Sequence, residues 1–212
     1  MSKNYNDFNF FKKNINTNSE VIEKLKRFVK ILDIYQKDMN LIGKSTRFTI
    51  WSRHILDSAQ IAKFLHNEEQ KYLTVDVGTG AGFPGVVLAS LGRSDILLCE
   101  KSRKKIEFLK TISKECNLNL NIFLGKIEDL NVKNAKTVVA RAFAPLKTLL
   151  VKVKHIIYKD TSLVLHKGEN YNKEIEEAKN FFSFNYVCYD SITNPNSKIL
   201  KIKNLKEINF EH

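Results

Sequence analysis

The residues best suited to hold a nucleotide lie in one stretch, where an apolar segment ends in an acid and glycines follow at close spacing: Thr74-Val75-Asp76-Val77-Gly78-Thr79-Gly80-Ala81-Gly82-Phe83-Pro84-Gly85. Glycine has no Cβ and accepts positive φ, so a turn built from it lets a ligand approach the backbone closely. In open α/β sheets, a strand, a glycine turn and a helix together form nucleotide sites at the carboxyl ends of the strands. The stretch therefore predicts a nucleotide cofactor.

Two classes of cofactor fit this turn. The dinucleotide fingerprint G-x-G-x-x-G occurs at residues 80–85, which keeps NAD open. The spacing of Asp76, Gly78, Gly80 and Gly82 fits better with the turn of class I S-adenosylmethionine-dependent methyltransferases, which it resembles. The next apolar segment ends in Glu100, and an acid at this distance accepts the ribose hydroxyls of either cofactor. A helix-capping role is the alternative for this carboxylate.

Composition and charge favour an anionic partner. The 212 residues carry a formal net charge of +12, which favours nucleic acid first and an anionic membrane second. Lysines spread over solvated faces are the alternative explanation. We see no apolar run long enough to span a bilayer and no signal-peptide pattern, so we expect a cytoplasmic protein, and a monomer. Cys99, Cys116 and Cys188 are scattered, which predicts reduced thiols and no metal site.

The elements that must position the turn follow from periodicity. Residues 1–18 are polar and Asn-rich without a helical period, which predicts a loose N-terminal arm. Apolar residues at helical spacing predict N-terminal helices at 19–66. Strands then alternate with helices over 71–205, which predicts a Rossmann-like core with a mostly parallel, doubly wound sheet and a C-terminal antiparallel hairpin. Residues 19–212 are thus predicted to form a single domain of the α/β class, and the resemblance of its glycine turn implies a methyltransferase domain.

Five separated motifs resemble the bacterial RsmG (GidB) family of 16S ribosomal RNA guanine-N7 methyltransferases. They occur in the family's order and approximate spacing: Asn40-Leu41, Arg53-His54-Ile55-Leu56-Asp57-Ser58, the turn from Asp76 to Gly85, Arg141-Ala142-Phe143-Ala144, and Lys167-Gly168. The resemblance covers roughly residues 20–205. It implies S-adenosylmethionine at the glycine turn and a guanine of small-subunit rRNA, free or within an assembling 30S particle, as the methyl acceptor.

The resemblance also implies roles for individual residues. Gly78, Phe83, Ile127 and Glu128 fall on family cofactor positions, and Arg141 falls at the mouth shared by cofactor and substrate. Together with the turn, the cofactor set is Asp76, Gly78, Gly80, Gly82, Phe83, Glu100, Ile127, Glu128 and Arg141. Arg141 is also the expected substrate-positioning residue, and Arg53, His54 and Lys167 are expected to contact the substrate. Purely structural roles are the alternative: Arg141 would form an ion pair with Asp57 or Glu128, and His54 would belong to a salt-bridged helix surface.

The chemistry of methyl transfer to guanine N7 determines which catalytic groups the enzyme needs. Guanine N7 has an exposed lone pair and no proton to remove, so its methylation needs no general base, and the enzyme mainly positions its substrates. The Asn/Asp-Pro-Pro-Tyr tetrapeptide is absent from the sequence. Two other functions stay open from the residues alone: an NAD-dependent oxidoreductase, and a non-catalytic, basic RNA-binding factor of ribosome assembly.

Overall fold

A central sheet dominates the protein, whose computed structural model describes residues 2–66 and 73–208. Within these ranges seven strands lie in the order β3-β2-β1-β4-β5-β7-β6. Their bounds are β1 Leu73–Val77, β2 Ile96–Glu100, β3 Asn121–Leu124, β4 Ala135–Arg141, β5 Ser162–Lys167, β6 Phe182–Asp190 and β7 Lys198–Glu207. Residues 71 and 72 of the predicted core, and 209–212 of the predicted domain, lie outside the described residues.

Strand pairing confirms the predicted fold class. The first five strands pair in parallel, and β7 pairs antiparallel with both β5 and β6. The parallel strands are rich in Val, Ile and Leu because helices cover both faces of the sheet. The chain order reverses between β1 and its two neighbours, β2 and β4, so the carboxyl ends of these strands border a crevice. In open α/β sheets this switch point is where ligands bind.

Helices on the two faces bury separate apolar clusters. The described helices are α1 Ser2–Asn14, α2 Ser19–Tyr35, α3 Asp57–Ala59, α4 Gly85–Ser90, α5 Arg103–Glu115, α6 Leu146–Val153 and α7 Tyr171–Lys179. On one face, α2, α4 and α5 pack around residues such as Phe28 and Phe108. On the other, α6 and α7 pack around Leu149 and Ile175. No helix in the described ranges is long and apolar enough to cross a membrane.

The prediction of a loose arm at residues 1–18 is wrong, because α1 is helical and docked. The Asp7 carboxylate accepts hydrogen bonds from the backbone N–H groups of Trp51 and Ser52, at 2.8 and 3.0 Å. The rings of Phe8 and Phe11 lie 4.6 and 5.3 Å from the Trp51 ring, and Phe11 is fully buried. Long-range capping and aromatic packing hold this helix, and neither produces a periodic pattern in the sequence.

The motif at residues 53–58 lies in a part of the predicted N-terminal helices that is not a regular α-helix. Short 3₁₀ turns at Lys44–Thr49 and Ala62–Phe64 flank a π-helical segment, Trp51–Leu56, that leads into α3. π-Helical segments occur often at functional sites. Here two main-chain carbonyls accept from side chains of the sheet: Arg53 O from Arg141 and Asp57 O from His166.

Candidate functional site

The glycine turn after β1 has the backbone that the sequence predicted. Gly78, Gly80 and Gly82 have φ of 67°, 57° and 91°, a region that side chains other than glycine rarely adopt. A Cβ at Gly78 would lie 2.4 Å from the Phe143 ring, and one at Gly82 would lie 2.4 Å from Val86. Gly78 therefore brings the turn against the loop after β4, while Gly82 lets the turn pack on α4.

Asp76 lies beneath the turn and orders it. The side chain is fully buried, and its Oδ2 accepts the N–H of Gly85 at 2.8 Å. Burial raises the pKa of Asp76 to about 7, against the hydrogen bond from the Gly85 N–H that favours its ionised form. A Cβ at Gly85 would lie 2.6 Å from Asp76 Oδ2, so this contact requires glycine there. Asp76 supports the cofactor turn from behind.

A cavity of about 430 Å³ opens at the carboxyl ends of β1, β2 and β4. The glycine turn forms one side of it, the 3₁₀ turn Ile127–Asp129 forms another, and the loop after β4 closes it. Its lining residues are Gly78, Cys99, Glu100, Lys101, Lys105, Gly125, Lys126, Ile127, Glu128, Ala142, Phe143, Ala144 and Lys152. Four of the predicted cofactor residues, Gly78, Glu100, Ile127 and Glu128, thus line the same cavity.

Glu100 links the glycine turn to the start of α5. Its Oε2 accepts the N–H of Gly80 at 3.0 Å, and its Oε1 accepts the N–H of Ser102 at 2.8 Å. Ser102 in turn caps α5. Because each carboxylate oxygen has a second lone pair, Glu100 can hold the turn and still accept a hydroxyl from the cavity. Its contact with a ribose stays a prediction.

Ile127 and Glu128 lie on the opposite wall of the cavity. Ile127 is buried and offers an apolar surface, whereas Glu128 forms an ion pair with Lys152. The hydrogen bond from Lys152 holds the pKa of Glu128 below its ordinary value. Lys101, Lys105 and Lys126 line the same cavity, so its mouth combines two carboxylates with four ammonium groups.

Phe83, Gly80 and Gly82 are not among the residues that line this cavity. The Phe83 ring lies in the core, 5.3 Å from the ring of Phe28 and 5.0 Å from that of His54. Contact between Phe83 and the cofactor therefore stays a prediction. Phe83 follows the tight part of the turn, where the chain has already turned inward towards α4. Its ring supports the guanidinium of Arg141, 5.6 Å away.

Arg141 ends β4 and joins the sheet to the motif at residues 53–58. Its Nε pairs with Asp57 Oδ2 at 3.0 Å, and its Nη2 donates to Arg53 O at 2.8 Å and contacts His54 Nδ1 at 3.1 Å. Burial lowers the pKa of the Arg141 guanidinium, and the Asp57 carboxylate opposes that shift. The next residue, Ala142, has a φ of 50°, and such strained backbone is found where a site is held in place.

His54 acts here as a neutral hydrogen-bond acceptor. Its Nδ1 faces Arg141 Nη2, a donor, so the proton belongs on Nε2, which lies 2.7 Å from Thr46 Oγ1. The Thr46 hydroxyl donates onward to Gly43 O at 2.9 Å. Burial, followed by the charge of Arg141, lowers the pKa of His54 to about 3. Both ring nitrogens of His54 are therefore hydrogen-bonded, and Nδ1 holds the Arg141 guanidinium in place.

Asp57 is the centre of this cluster, with partners that sequence reasoning missed. Its Oδ1 accepts from Gln60 Nε2 at 2.8 Å and from Thr193 Oγ1 at 2.7 Å, and its carbonyl accepts from His166 Nε2. Gln60 also accepts the N–H of Ile192 at 2.9 Å. The loop between β6 and β7 is therefore tied to the motif. Its residues are far away in the sequence, so no local pattern could reveal this link.

A second cleft, of about 200 Å³, lies beside the cofactor cavity and shares Ala142 with it. Its lining is mostly polar and includes four Arg and Lys residues: Arg53, Asp57, Arg141, Ala142, His166, Lys167, Gly168, Ser191, Thr193, Asn194, Ser197, Lys198 and Ile199. Three of the four predicted substrate residues, Arg53, Arg141 and Lys167, border this cleft. His54 lies behind Arg141 and outside this lining.

Lys167 borders the cleft but is engaged by two protein groups. Its Nζ donates to Ala144 O at 3.1 Å and to Glu174 Oε2 at 2.7 Å. The same Glu174 oxygen accepts the N–H of Leu146 at the start of α6. Lys167 therefore fixes the loop after β4, which carries Ala142 and Phe143, and a substrate contact for it stays a prediction.

Comparisons with known proteins agree with this arrangement. A family model described as rRNA small subunit methyltransferase G matches residues 21–203. Ribosomal RNA small subunit methyltransferase G of Rickettsia felis is 39% identical over 189 residues, covering 89% of this chain and 96% of that protein. The protein of the same name from Orientia tsutsugamushi is 36% identical over 196 residues, covering 92% of this chain and 97% of the relative.

Solved structures share the fold at low sequence identity. The ribosomal protein L11 methylase of Lactobacillus delbrueckii superposes with a TM-score of 0.56 at 18% identity, covering 71% of this chain and 78% of that one. Fibrillarin of Aeropyrum pernix, solved with bound S-adenosylmethionine, superposes with a TM-score of 0.54 at 11% identity, covering 71% and 75%. These likenesses establish the class I methyltransferase fold.

Proposed function

The chain belongs to the rRNA small subunit methyltransferase G family, and from that premise we propose that it transfers a methyl group from S-adenosylmethionine to guanine N7 of 16S ribosomal RNA. The observation that carries the proposal is the pair of adjoining cavities at the carboxyl ends of the strands. One is built around the glycine turn and the other is lined by basic residues, and Ala142 belongs to both. A cofactor in the first can therefore face a base in the second.

The residues of the first cavity fit S-adenosylmethionine. The absence of a Cβ at Gly78 leaves room at the turn, Glu100 is placed to accept hydroxyls, and Ile127 is the apolar surface suited to an adenine. The carboxylates of Glu100 and Glu128 offer hydrogen-bond acceptors to the hydroxyl and amino groups of the cofactor. When bound, S-adenosylmethionine supplies an activated methyl group, so the protein needs to contribute only position and electrostatics.

The second cavity fits a splayed-out guanine nucleotide. Guanine N7 lies in the deep groove of helical RNA, so the target base must be unpaired or turned out of its loop. Arg53 and Lys198 bring positive charge to the cleft, and Arg141 is held by Asp57 and His54 at its inner end. The contacts of Arg141 use Nε and Nη2, and we propose that Nη1 donates to the base or its phosphate. No proton acceptor is required, because N7 carries no proton.

The biological setting is part of the same proposal. The net charge of +12 suits an rRNA partner, and we place the enzyme in the cytoplasm, acting as a monomer on 16S rRNA that is either free or within an assembling 30S particle. Methylation assays on naked 16S rRNA and on 30S particles distinguish these two substrates. Absence of transfer to both would contradict the proposed setting.

Cofactor choice and methyl transfer are tested together. Calorimetry with S-adenosylmethionine and with NAD, side by side, should give binding heat with the first only. Incubation with S-adenosylmethionine labelled in its methyl group should then label small-subunit rRNA and leave large-subunit rRNA unlabelled. Cofactor binding without label on either rRNA would refute the proposed reaction.

A further inference from the structure

One face of the β6–β7 hairpin gathers aromatic and basic side chains. The Tyr189 ring stacks on Phe64 with centroids 4.3 Å apart, and the Lys63 ammonium lies 5.0 Å from the centre of the Phe64 ring. Lys201 donates to Phe64 O at 2.8 Å, and Val187 stands opposite Lys201 in the strand register. Cross-strand partners share a face, as do residues two apart. We call this surface the hairpin face: Lys63, Phe64, Val187, Tyr189, Lys201 and Lys203.

The hairpin face is exposed and positively charged. Val187 and Tyr189 are 51% and 36% exposed, and the side chains of Lys63 and Lys203 lie in solvent. Residues 182–206 contain four lysines and a single acid, Asp190, which is itself paired with Lys198. A partner suited to this surface must offer flat apolar groups together with negative charge, and nucleic acid offers both.

The hairpin face also continues from the proposed substrate cleft. Ile199 lines the cleft and is the register partner of Tyr189. The Val187–Lys201 pair lies two residues farther along the hairpin, about 7 Å away at the usual rise of a strand. A nucleotide that leaves the cleft on this side therefore meets Tyr189 first and the lysines next.

We propose that the hairpin face binds the rRNA strand that flanks the target guanine, with a base stacked on Tyr189 and phosphates held by Lys63, Lys201 and Lys203. Stacking on an aromatic side chain tolerates any base, and lysines neutralise phosphates without reading sequence. This inference rests on the proposed function, and it assigns to the hairpin a role in substrate affinity separate from the chemistry of the cavities.

Matched variants on the two faces of the hairpin test the proposal. Tyr186 lies on the same strand as Tyr189 and is 39% exposed, but it belongs to the other face of the hairpin. On that face its register partner Ile202 is buried, and Lys179 lies 5.2 Å from the centre of the Tyr186 ring. Tyr189→Ala is therefore compared with Tyr186→Ala, and Lys203→Glu with Lys179→Glu. For each protein we would measure the Kd for a 16S rRNA fragment between about 50 and 200 mM salt, the Kd for S-adenosylmethionine, and the melting temperature.

The hairpin-face variants alone should lose RNA affinity. Tyr189→Ala should raise the Kd for RNA about 5- to 150-fold, the range for removing one base stack. Lys203→Glu should reduce the slope of log affinity against log salt by about 0.7–0.9 for each phosphate that the protein no longer neutralises. Tyr186→Ala and Lys179→Glu should bind RNA like the wild type, and all four variants should keep the wild-type Kd for S-adenosylmethionine.

Equal RNA affinities on the two faces, or losses of the same size on both, would overturn the inference. If Tyr189→Ala melts early because it no longer stacks on Phe64, Lys203→Glu decides alone, since its side chain lies in solvent. Failure of the proposed function has a different signature: the wild-type protein would then leave small-subunit rRNA unmethylated, whatever its variants do.

Discussion

A methyl group added at Gly78 tests how the turn shapes the cofactor cavity. In Gly78→Ala the new Cβ would lie 2.4 Å from Phe143, a ring that lines the cavity, and the residue would keep a φ of 67°. The backbone strain of a left-handed residue costs about 1–2 kcal/mol. The clash adds an overpacking cost of about 1–3 kcal/mol, unless the ring turns away into the cavity.

Gly80→Ala is the matched control. Gly80 has a similar φ of 57°, but its Cβ would have nothing nearer than Gly78 O at 3.8 Å and Lys105 Nζ at 3.9 Å. Both variants therefore carry the backbone strain, in the free and in the cofactor-bound protein alike. Only Gly78→Ala must push the Phe143 ring back before a ligand can enter. Its Kd for S-adenosylmethionine should rise about 5- to 150-fold, the equivalent of 1–3 kcal/mol, while that of Gly80→Ala should change little.

Calorimetry with S-adenosylmethionine and urea unfolding measure the two effects separately. Adding Phe143→Leu to Gly78→Ala should recover most of the affinity, because a smaller side chain relieves the clash. Equal affinity losses in Gly78→Ala and Gly80→Ala would refute the reasoning, since they would show that the backbone conformation, and not the contact with Phe143, governs binding.

Three further predictions concern the groups around the two cavities. In Glu100→Gln one side-chain oxygen becomes an NH₂ group, so the side chain can no longer accept hydrogen bonds from both Gly80 and Ser102. This variant should weaken S-adenosylmethionine binding by about 1.5–3 kcal/mol, and unchanged calorimetric affinity would exclude Glu100 from the site. Arg141→Ala should lower the free energy of unfolding by about 3–5 kcal/mol because Asp57 loses its buried partner, and the double variant Asp57→Ala/Arg141→Ala should lose less than the two single losses combined; additive losses in urea would contradict the pairing. The pKa of His54 is lowered to about 3 in the folded protein, so between about pH 6.5 and pH 3 His54 is protonated in the unfolded chain and neutral in the folded one. The contribution of His54 to the free energy of unfolding therefore falls as pH drops through this range. His54→Gln should flatten that part of the stability profile, and an unchanged profile would show that His54 is not the group responsible.

The fold was predictable because its signals are local. The glycine turn and the alternation of strands and helices each depend on neighbouring residues, and both agree with the structure. The N-terminal helix escaped prediction because its stability comes from Asp7 and Phe11 meeting Trp51, some forty residues away. Such long-range contacts have no period that a sequence pattern can display.

The site was predictable only in part, for the same reason. Gly78, Glu100, Ile127 and Glu128 do share one cavity, since each follows a strand that ends at the same edge of the sheet. The Phe83 ring packs in the core, because the chain turns inward before reaching it, and its contact with the cofactor stays a prediction. The network that holds Arg141 recruits Gln60, Thr193 and His166 from three separate elements, and only the folded chain brings them together.

The most direct test of the central claim replaces the acceptor atom itself. Once the methylated guanine of 16S rRNA has been mapped, a fragment carrying 7-deazaguanine at that position keeps the pairing edge but presents carbon in place of the nitrogen lone pair. We expect this fragment to bind the protein with the affinity of the unmodified RNA and to receive no methyl group from labelled S-adenosylmethionine. Continued methylation of that base, at an exocyclic nitrogen, would contradict the N7 assignment. It would also require a general base, a role that has not been assigned to any residue of the two cavities.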